Sequence, residues 1–249
     1  LEVKKEQIKT IYSQHKAELL NHATEKKSQP SFIEALKKPR VSLIAEIKRA
    51  SPSKGIIRSD FDPLKLAKEF ELYGARALSI LTETDFFLGH PRYVSEVAKT
   101  TSLPILRKDF IIDPIQVYET YALGASAMLL IVAILSKSQL KELFDVAQKL
   151  KLEVLVEVHN QEELDLIRDL NLPIIGVNNR NLKTFDTDPK LAIHLIHEEK
   201  LRAANTVFVA ESGYSSADQI KELESYNIDA VLIGEGLAKD PGLLEYFSE

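Results

Sequence analysis

Lys108 lies where a buried ammonium group would be able to transfer a proton. In the run LRKDF it shares its strand parity with Leu106 and Phe110, which predicts that its side chain points inward among apolar neighbours. Desolvation lowers the pKa of a lysine, so the sequence predicts a general acid with a depressed pKa, or an amine that forms a Schiff base with a carbonyl compound. The alternative is a surface lysine whose stem covers apolar neighbours.

A second lysine, Lys48, follows Glu46 by two residues in the run VSLIAEIK. Residues two apart in a strand point to the same face, so both side chains are expected to point inward with Ile44 and to form an ion pair. Because Lys48 lies at the end of the run, the sequence favours a role in chemistry. The alternative is a structural ion pair that fills the interior.

Further acid, base and anion-binding groups end later runs. Glu157, in LVEVH, is a candidate general base or a partner that keeps the lysines charged. Asn178 would bind a hydroxyl or carboxylate, and Arg180 would bind an anion through two hydrogen bonds, unless this segment is only a turn. His159 could share the work of Glu157, but a histidine beside a helix cap is more typical of a capping or surface residue.

Glycine-containing segments end the last two runs. The first segment consists of Glu211, Ser212 and Gly213, and the second of Gly234, Glu235 and Gly236. Glycines at such positions let backbone N–H groups approach a phosphate. Residues 51–55 (SPSKG) add hydroxyls and a lysine that would close over the same phosphate, unless they form an ordinary loop. Phe86, Phe87 and Phe110 indicate an aromatic pocket or plain core.

These residues lie at or near the ends of eight short apolar runs. The runs cover residues 41–48, 77–83, 104–110, 127–132, 153–158, 173–180, 207–213 and 230–236. They show little alternation, which is typical of parallel strands covered on both faces, and Asp-Pro pairs or Ser and Asn caps begin many of the helical stretches between them. This order predicts an α/β fold, a closed (β/α)8 TIM barrel whose rim at the C-terminal strand ends carries the chemistry.

The first forty residues contain no such run. Ile8, Ile11, Tyr12 and Leu19 have the spacing of one amphipathic helix, and Ser31 is expected to cap a second. This region has too few apolar residues for a core of its own. We therefore expect one barrel domain over residues 1–249, with residues 1–40 as an N-terminal helical extension packed on it.

Composition excludes several classes of protein and site. The chain has 249 residues and no cysteine, and the absence of cysteine excludes disulfides, thiolate metal sites and cysteine nucleophiles. Its net charge of -5 argues against nucleic acid as a partner. The longest apolar run, residues 127–135, is too short to cross a bilayer, and no signal segment opens the chain. His194 and His197 are expected on a solvated helix face. We therefore predict a cytoplasmic protein without a metal site.

Seven blocks of the chain, in order, resemble the indole-3-glycerol phosphate synthase family. They are AEIKRASPSKG, LTETDFFLG, LRKDFIID, LVEVH, GVNNRNLKTF, AESG and VLIGEGL, and the resemblance extends from about residue 41 to the C-terminus. It implies an enzyme of tryptophan biosynthesis whose substrate is 1-(2-carboxyphenylamino)-1-deoxyribulose 5-phosphate. The reaction would form the pyrrole ring with loss of carbon dioxide and water and give indole-3-glycerol phosphate. No cofactor is implied. His90, Ser126 and the pair Pro114-Ile115 depart from the family pattern at positions without a proposed role.

The resemblance also implies a role for each site residue. Lys108 would be the general acid on the substrate carbonyl, Lys48 would hold the substrate carboxylate and assist proton transfer, and Glu157 would act as base or acid in the dehydration. The other residues fall into three groups: Glu46, Asn178 and Glu211 would position the lysines and hydroxyls, Ser51, Ser212, Gly213, Gly234 and Glu235 would surround the phosphate, and Phe87, Phe110 and Leu182 would line the anthranilate pocket. The leading helices would help to cover the barrel mouth.

Three other functions stay open at this point. A Schiff-base aldolase and a phosphoribosylanthranilate isomerase would use the same barrel, and a non-catalytic phosphate-binding barrel would be an interaction module. The isomerase is expected to need a cysteine, so its absence argues against that function. The expected ligand is a small anionic sugar phosphate, and the expected state is a monomer without nucleic-acid or membrane partners. Weak contacts with other enzymes of the pathway stay open.

Overall fold

The computed structural model describes residues 1–23, 28–182, 184–200, 205–226 and 228–248. Within them, eight parallel strands close into a barrel, each pairing with the next in chain order and the last pairing with the first. They are β1 (Ser42–Ile47), β2 (Ala77–Leu81), β3 (Ile105–Lys108), β4 (Ala127–Ile131), β5 (Glu153–Val158), β6 (Ile174–Asn178), β7 (Val207–Glu211) and β8 (Ala230–Ile233). The predicted (β/α)8 TIM barrel is confirmed.

Helices precede the barrel and follow its strands. They are α1 (Glu2–Gln14), α2 (Lys16–His22), α3 (Phe32–Leu36), α4 (Pro63–Leu72), α5 (Arg92–Val97), α6 (Pro114–Leu123), α7 (Lys137–Lys149), α8 (Gln161–Ile167), α9 (Lys190–Lys200), α10 (Ala217–Ser225) and α11 (Glu235–Lys239). Predicted caps are confirmed where side chains accept backbone N–H bonds, as Asp62, Asp113, Ser136, Asn160 and Ser216 do. Short 3-10 helices cover Val132–Ile134, Arg168–Leu170 and Pro241–Phe247.

The strands separate two apolar layers. Ile44 and Leu106 pack inside the barrel, whereas their neighbours Leu43 and Ile105 pack outward against the helices. This alternation also turns Glu46 and Lys108 toward the interior, as the strand parity predicts. None of the described helices is long and apolar enough to cross a membrane.

The prediction of one amphipathic helix over residues 8–19 is wrong, because two helices separated at His15 cover this segment. The backbone of His15 has φ -127° and ψ -5°, and α2 begins after it. Ile8 of α1 and Leu19 of α2 are both buried with Ile115 of α6. A straight helix would separate these two residues by about 16 Å, so the break brings both onto the same part of α6.

The N-terminal segment contacts both ends of the barrel. Phe32 and Leu36 of α3 are fully buried with residues from the starts of the strands, and Glu153, the first residue of β5, accepts hydrogen bonds from Ser31 and the Ile33 N–H. Helix α3 therefore closes the end opposite the rim, which differs from the expectation that the leading helices cover the mouth. At the rim, Gln7 of α1 donates to Thr84 and Asp85, in the loop after β2.

Candidate active site

The C-terminal ends of the strands surround a cavity of about 530 Å³. Its walls contain all fifteen site residues expected from the sequence, namely Glu46, Lys48, Ser51, Phe87, Lys108, Phe110, Glu157, Asn178, Arg180, Leu182, Glu211, Ser212, Gly213, Gly234 and Glu235. The strand ends therefore bring together side chains that are far apart in the sequence. The role of each residue stays a prediction.

Lys108 lies between two glutamates at the centre of this cavity. Its Nζ is 2.9 Å from Glu157 Oε2 and 2.5 Å from Glu211 Oε2. The three residues come from β3, β5 and β7, and side chains from alternate strands of a barrel share one interior layer. The side chain of Lys108 is 14% exposed, while those of both carboxylates are at most 3% exposed.

The predicted depressed pKa of Lys108 is wrong. Burial alone lowers its pKa, but the charges of Glu157, Glu211 and Glu46 outweigh burial and raise the pKa above the ordinary value. The local sequence shows only apolar neighbours, whereas the compensating carboxylates come from distant strands. Lys108 is therefore an ammonium ion at neutral pH, and it is a poor amine nucleophile.

The two carboxylates that share Lys108 have opposite pKa shifts. Burial alone would raise the pKa of Glu157, but Lys108 and His159 lower it well below the ordinary value. Burial and repulsion by Glu157 raise the pKa of Glu211 to about 8, although Lys108 opposes this shift. Within the described chain, Glu211 Oε1 has no hydrogen-bond partner. The site thus combines one firmly ionised carboxylate with one that accepts a proton near neutral pH.

Glu46 and Lys48 form the ion pair that the strand parity predicts. Lys48 Nζ lies 2.6 Å from Glu46 Oε2, and the lysine side chain is 15% exposed, so it reaches the open part of the cavity. A Cβ atom on Gly234 would lie 2.3 Å from Glu46 Oε2. Gly234 therefore provides the space that this carboxylate occupies.

Cationic and hydroxyl groups gather on the side of the cavity formed by β7, β8 and the loop after β1. Ser51 Oγ is buried there without a hydrogen-bond partner in the described chain. The Glu235 carboxylate contacts Lys54, lies 2.8 Å from Lys239 Nζ and lies 3.6 Å from Arg180 Nη2. These three cations outnumber the carboxylate, so this part of the cavity favours an anion.

Positive φ angles shape the adjoining loop after β7. Ser212 has φ 68° and Gly213 has φ 89°. Asn179, which the sequence suggested as a turn residue, is buried and its side chain makes three hydrogen bonds. Its Nδ2 donates to Ser212 O at 2.9 Å and to Tyr214 Oη at 3.0 Å, and its Oδ1 accepts from the Ala192 N–H at 2.8 Å. This amide fixes the β7 loop against α9, and no local sequence signal identified it.

An apolar wall faces the charged residues. The rings of Phe87 and Phe110 have centroids 6.5 Å apart at an angle of 55°, and Leu182 is 42% exposed beside the opening. Phe86 is 54% exposed and lies outside the cavity wall. Glu83 places Phe87, because its Oε2 accepts the Phe87 N–H at 3.1 Å. This role of Glu83 was not predicted from the sequence, although Glu83 ends an apolar run as other site residues do.

A buried charged cluster supports β3 from outside the barrel. Arg107 and Asp109 pair at 3.2 Å, as their common parity indicates, and Lys4 of α1 binds Asp109 at 2.7 Å. Thr82 donates to Asp109 and accepts from Arg107 Nε. The N-terminal helix is thus tied to the residue that follows Lys108.

His159 is the residue whose environment differs most from the expected one. Its side chain is only 7% exposed, and it lies 3.2 Å from Glu157 Oε1 and 3.1 Å from Glu163 Oε2. It is therefore buried rather than a surface residue. Over the described part of the chain, His, Asp and Glu side chains form no group of three able to hold a metal ion.

Comparison with known proteins agrees with this geometry. The family model described as indole-3-glycerol phosphate synthase matches residues 1–245. A protein of that name from Endomicrobium trichonymphae is 43% identical over 247 residues, covering 99% of this chain and 94% of its own. The protein of that name from Lachnoclostridium phytofermentans is 48% identical over 208 residues, covering 84% of this chain and 76% of its own. That from Legionella pneumophila strain Lens is 47% identical over 218 residues, covering 86% of this chain and 83% of its own. This chain belongs to the indole-3-glycerol phosphate synthase family.

Proposed function

We propose that this protein is a carboxy-lyase that converts 1-(2-carboxyphenylamino)-1-deoxyribulose 5-phosphate to indole-3-glycerol phosphate, carbon dioxide and water in tryptophan biosynthesis. The observation that carries the proposal is the Lys108 ammonium held between Glu157 and Glu211 on the rim of the barrel. Membership of the family supports the same reaction. The reaction needs an acid, a base and an anion site, and each has candidates in the cavity.

The first step in this proposal is ring closure. The aromatic carbon that bears the substrate carboxylate attacks the ribulose carbonyl, and Lys108 donates a proton to the carbonyl oxygen as it becomes a hydroxyl. Lys108 suits this role because the ionised carboxylate of Glu157, 2.9 Å from its Nζ, keeps it protonated. The ring nitrogen gains positive charge as the carbon–carbon bond forms, and the surrounding carboxylates stabilise that charge.

Loss of carbon dioxide and then of water completes the indole ring. The electron pair of the broken carbon–carbon bond returns to the ring system as carbon dioxide departs. The new hydroxyl then leaves with a proton as water, while the base takes a proton from the neighbouring carbon. We assign proton removal to Glu157 because it is ionised, and hydroxyl departure to a protonated lysine.

Binding of the substrate uses both sides of the cavity. Lys48, partly exposed beside Glu46, is assigned to the substrate carboxylate. The phosphate is assigned to the side that holds Ser51, Arg180 and the glycine-containing loops after β7 and β8, where Lys54 and Lys239 also lie. The anthranilate ring is assigned to the apolar wall of Phe87, Phe110 and Leu182.

The cavity disfavours the Schiff-base alternative. An aldolase of this type needs a neutral amine, but Lys108 lies 2.9 Å from the ionised carboxylate of Glu157, which holds its proton. We expect borohydride to trap no carbonyl compound on Lys108. A trapped adduct that blocks turnover would favour the aldolase.

The proposal is tested by assaying the purified protein with synthetic substrate. We expect indole fluorescence to appear together with one carbon dioxide for each indole formed. Absence of both products from folded protein would overturn the proposal, and carbon dioxide without indole fluorescence would limit the chemistry to decarboxylation.

We further propose that the protein acts in the cytoplasm as a monomer. The cavity is lined by one chain, and no second copy is needed to complete the residues assigned above. The absence of cysteine suits a reducing compartment without requiring it. Light scattering coupled to gel filtration should give a mass of about 28 kDa, and twice that value would overturn the monomer.

A further inference from the structure

His159 lies behind Glu157 and outside the cavity wall. Its Nε2 is 3.2 Å from Glu157 Oε1, which is an ion-pair contact without the alignment of a hydrogen bond, whereas Lys108 contacts the other oxygen, Oε2, of the same carboxylate. The steps proposed above do not use this histidine. It can therefore influence them only through Glu157.

Glu163 fixes the other side of the imidazole ring. Its Oε2 is 3.1 Å from His159 Nδ1 and also accepts the His159 backbone N–H at 2.9 Å. Asn160 holds Glu163 in turn, because its Oδ1 accepts the Glu163 N–H at 2.8 Å and its Nδ2 donates to Glu163 Oε1 at 3.2 Å. The ring is held between two carboxylates that can only accept hydrogen bonds when ionised.

This arrangement favours a ring with both nitrogens protonated. A neutral imidazole would turn a lone pair toward one of the two carboxylates, whereas an imidazolium ion donates Nδ1–H to Glu163 and forms an ion pair with Glu157. Burial alone would lower the pKa of His159, but the carboxylates of Glu157 and Glu163 on either side raise it to about 9. The ring therefore places a positive charge beside Glu157 at neutral pH.

The charges around Glu157 come from several elements. Lys108 on β3 and Glu211 on β7 lie on the cavity side, with Glu46 of β1 acting on Lys108, and His159 lies on the opposite side, backed by Glu163 of α8. The paired positions on the neighbouring strands are Ile131 and Gly176, which carry no charge. His159 is thus the only described cation besides Lys108 that contacts the Glu157 carboxylate.

We propose that His159, as an imidazolium ion held by Glu163, is a positioning residue that fixes Glu157 through Oε1 and keeps this carboxylate ionised for the proton transfers of the reaction. This inference rests on the proposed function. It adds a second pair, His159 with Glu163, to the residues on which turnover depends. Without the imidazolium, Glu157 would hold a proton at higher pH and its carboxylate would be free to rotate away from Lys108.

The test compares His159→Gln with His194→Gln. The first change keeps a side-chain N–H donor but removes the charge, and the second makes the same substitution on the exposed face of α9. We expect kcat of His159→Gln to fall roughly tenfold, less than the ~10²–10⁴ that an acid or base contributes, with KM within about threefold. We also expect the pH at which kcat falls on the acid side of its pH–rate profile to rise by about one unit.

Glu163→Gln gives an independent check, because it removes the negative charge that faces Nδ1–H. We expect the acid limb to move in the same direction by a smaller amount, and His194→Gln to match the wild type. A uniform loss of kcat across pH, with unshifted limbs, would show a merely structural role for His159 and overturn the proposal.

Nitrogen NMR of the unsubstituted protein tests the same inference without turnover. We expect both ring nitrogens of His159 to be protonated at about pH 7, with a titration midpoint near 9. A neutral His159 at that pH would overturn the proposal even if the variant fails to fold. If the protein makes no indole product while His159 titrates near 9, the proposed function fails and the charge pairing stands.

Discussion

Gly176 provides the space that the carboxylate of Glu211 occupies. A Cβ atom at position 176 would lie 2.2 Å from Glu211 Oε1 and 3.2 Å from Leu155 Cδ1. Because Glu211 Oε2 is the atom that contacts Lys108, any side chain at position 176 would move the carboxylate on which this contact depends. The backbone of β6 thus helps to set the position of the lysine across the barrel.

Gly176→Ala should therefore impair turnover. We expect kcat to fall at least about tenfold and the free energy of unfolding to fall by about 1–3 kcal/mol, since the added methyl group overpacks the interior. Glu211→Asp shortens the carboxylate and should recover part of the stability in the double variant, giving a favourable coupling energy in a double-mutant cycle. Wild-type kcat in Gly176→Ala would contradict this account of the strand.

Glu235→Gln should strengthen the binding of inorganic phosphate. Glu235 is an internal anion beside Lys54, Arg180 and Lys239, and hydrogen bonds from Lys239 and Lys54 lower its pKa to about 2 against the effect of burial. The amide would leave these cations available to the phosphate. Partly exposed ion pairs are worth up to about 1 kcal/mol, so we expect inhibition by phosphate to tighten about three- to fivefold.

The matched control for this prediction is Glu222→Gln. Glu222 pairs with Lys190 on an exposed surface away from the cavity wall. Phosphate inhibition of this variant should equal that of the wild type. Weaker inhibition in Glu235→Gln than in the wild type would show that the carboxylate helps phosphate binding rather than competing with it.

Stability should fall as pH rises from about 5 to 8, in part because of Glu211. Its pKa is raised to about 8 from 4.5, so in this range the native state binds a proton that the unfolded state has lost. Glu211→Gln cannot ionise and should lose this dependence. We expect its free energy of unfolding, relative to wild type, to rise by about 3 kcal/mol between these pH values in urea titrations.

His159 adds to the same trend at higher pH. Its raised pKa contributes stability that is full below 6.5 and is lost as pH rises through about 9. The lowered pKa of Glu157 acts only in acid, where protonation of this carboxylate removes stability. A wild-type protein whose stability relative to Glu211→Gln is constant from about pH 5 to 8 would contradict the assignment of the raised pKa to Glu211.

Strand parity and strand ends predicted much of the barrel and its rim. Alternation along β1 predicts that Glu46 and Lys48 share a face, and alternation along β3 separates Lys108 from Arg107. Both predictions depend only on the period of a strand, which neighbouring residues define. The family resemblance, not parity, supplied the reaction and the assignment of most roles.

Long-range contacts account for what the sequence did not predict. Lys108 has apolar sequence neighbours, but its pKa is set by Glu157 and Glu211, which are 49 and 103 residues away. The burial of His159 depends on how α8 follows β5, and Ile8 and Leu19, on either side of the break at His15, are buried with Ile115 of α6. Such effects arise from tertiary structure and have no local pattern.

Turnover by Lys108→Ala tests the central claim most directly. We expect indole formation from the synthetic substrate to fall by at least ~10², the contribution of a general acid, while inorganic phosphate still binds within about threefold of wild type. Lys149→Ala, which removes an exposed lysine of α7, should leave both unchanged. Near-normal indole formation by folded Lys108→Ala would contradict the account, because the ammonium between Glu157 and Glu211 would then not be the acid.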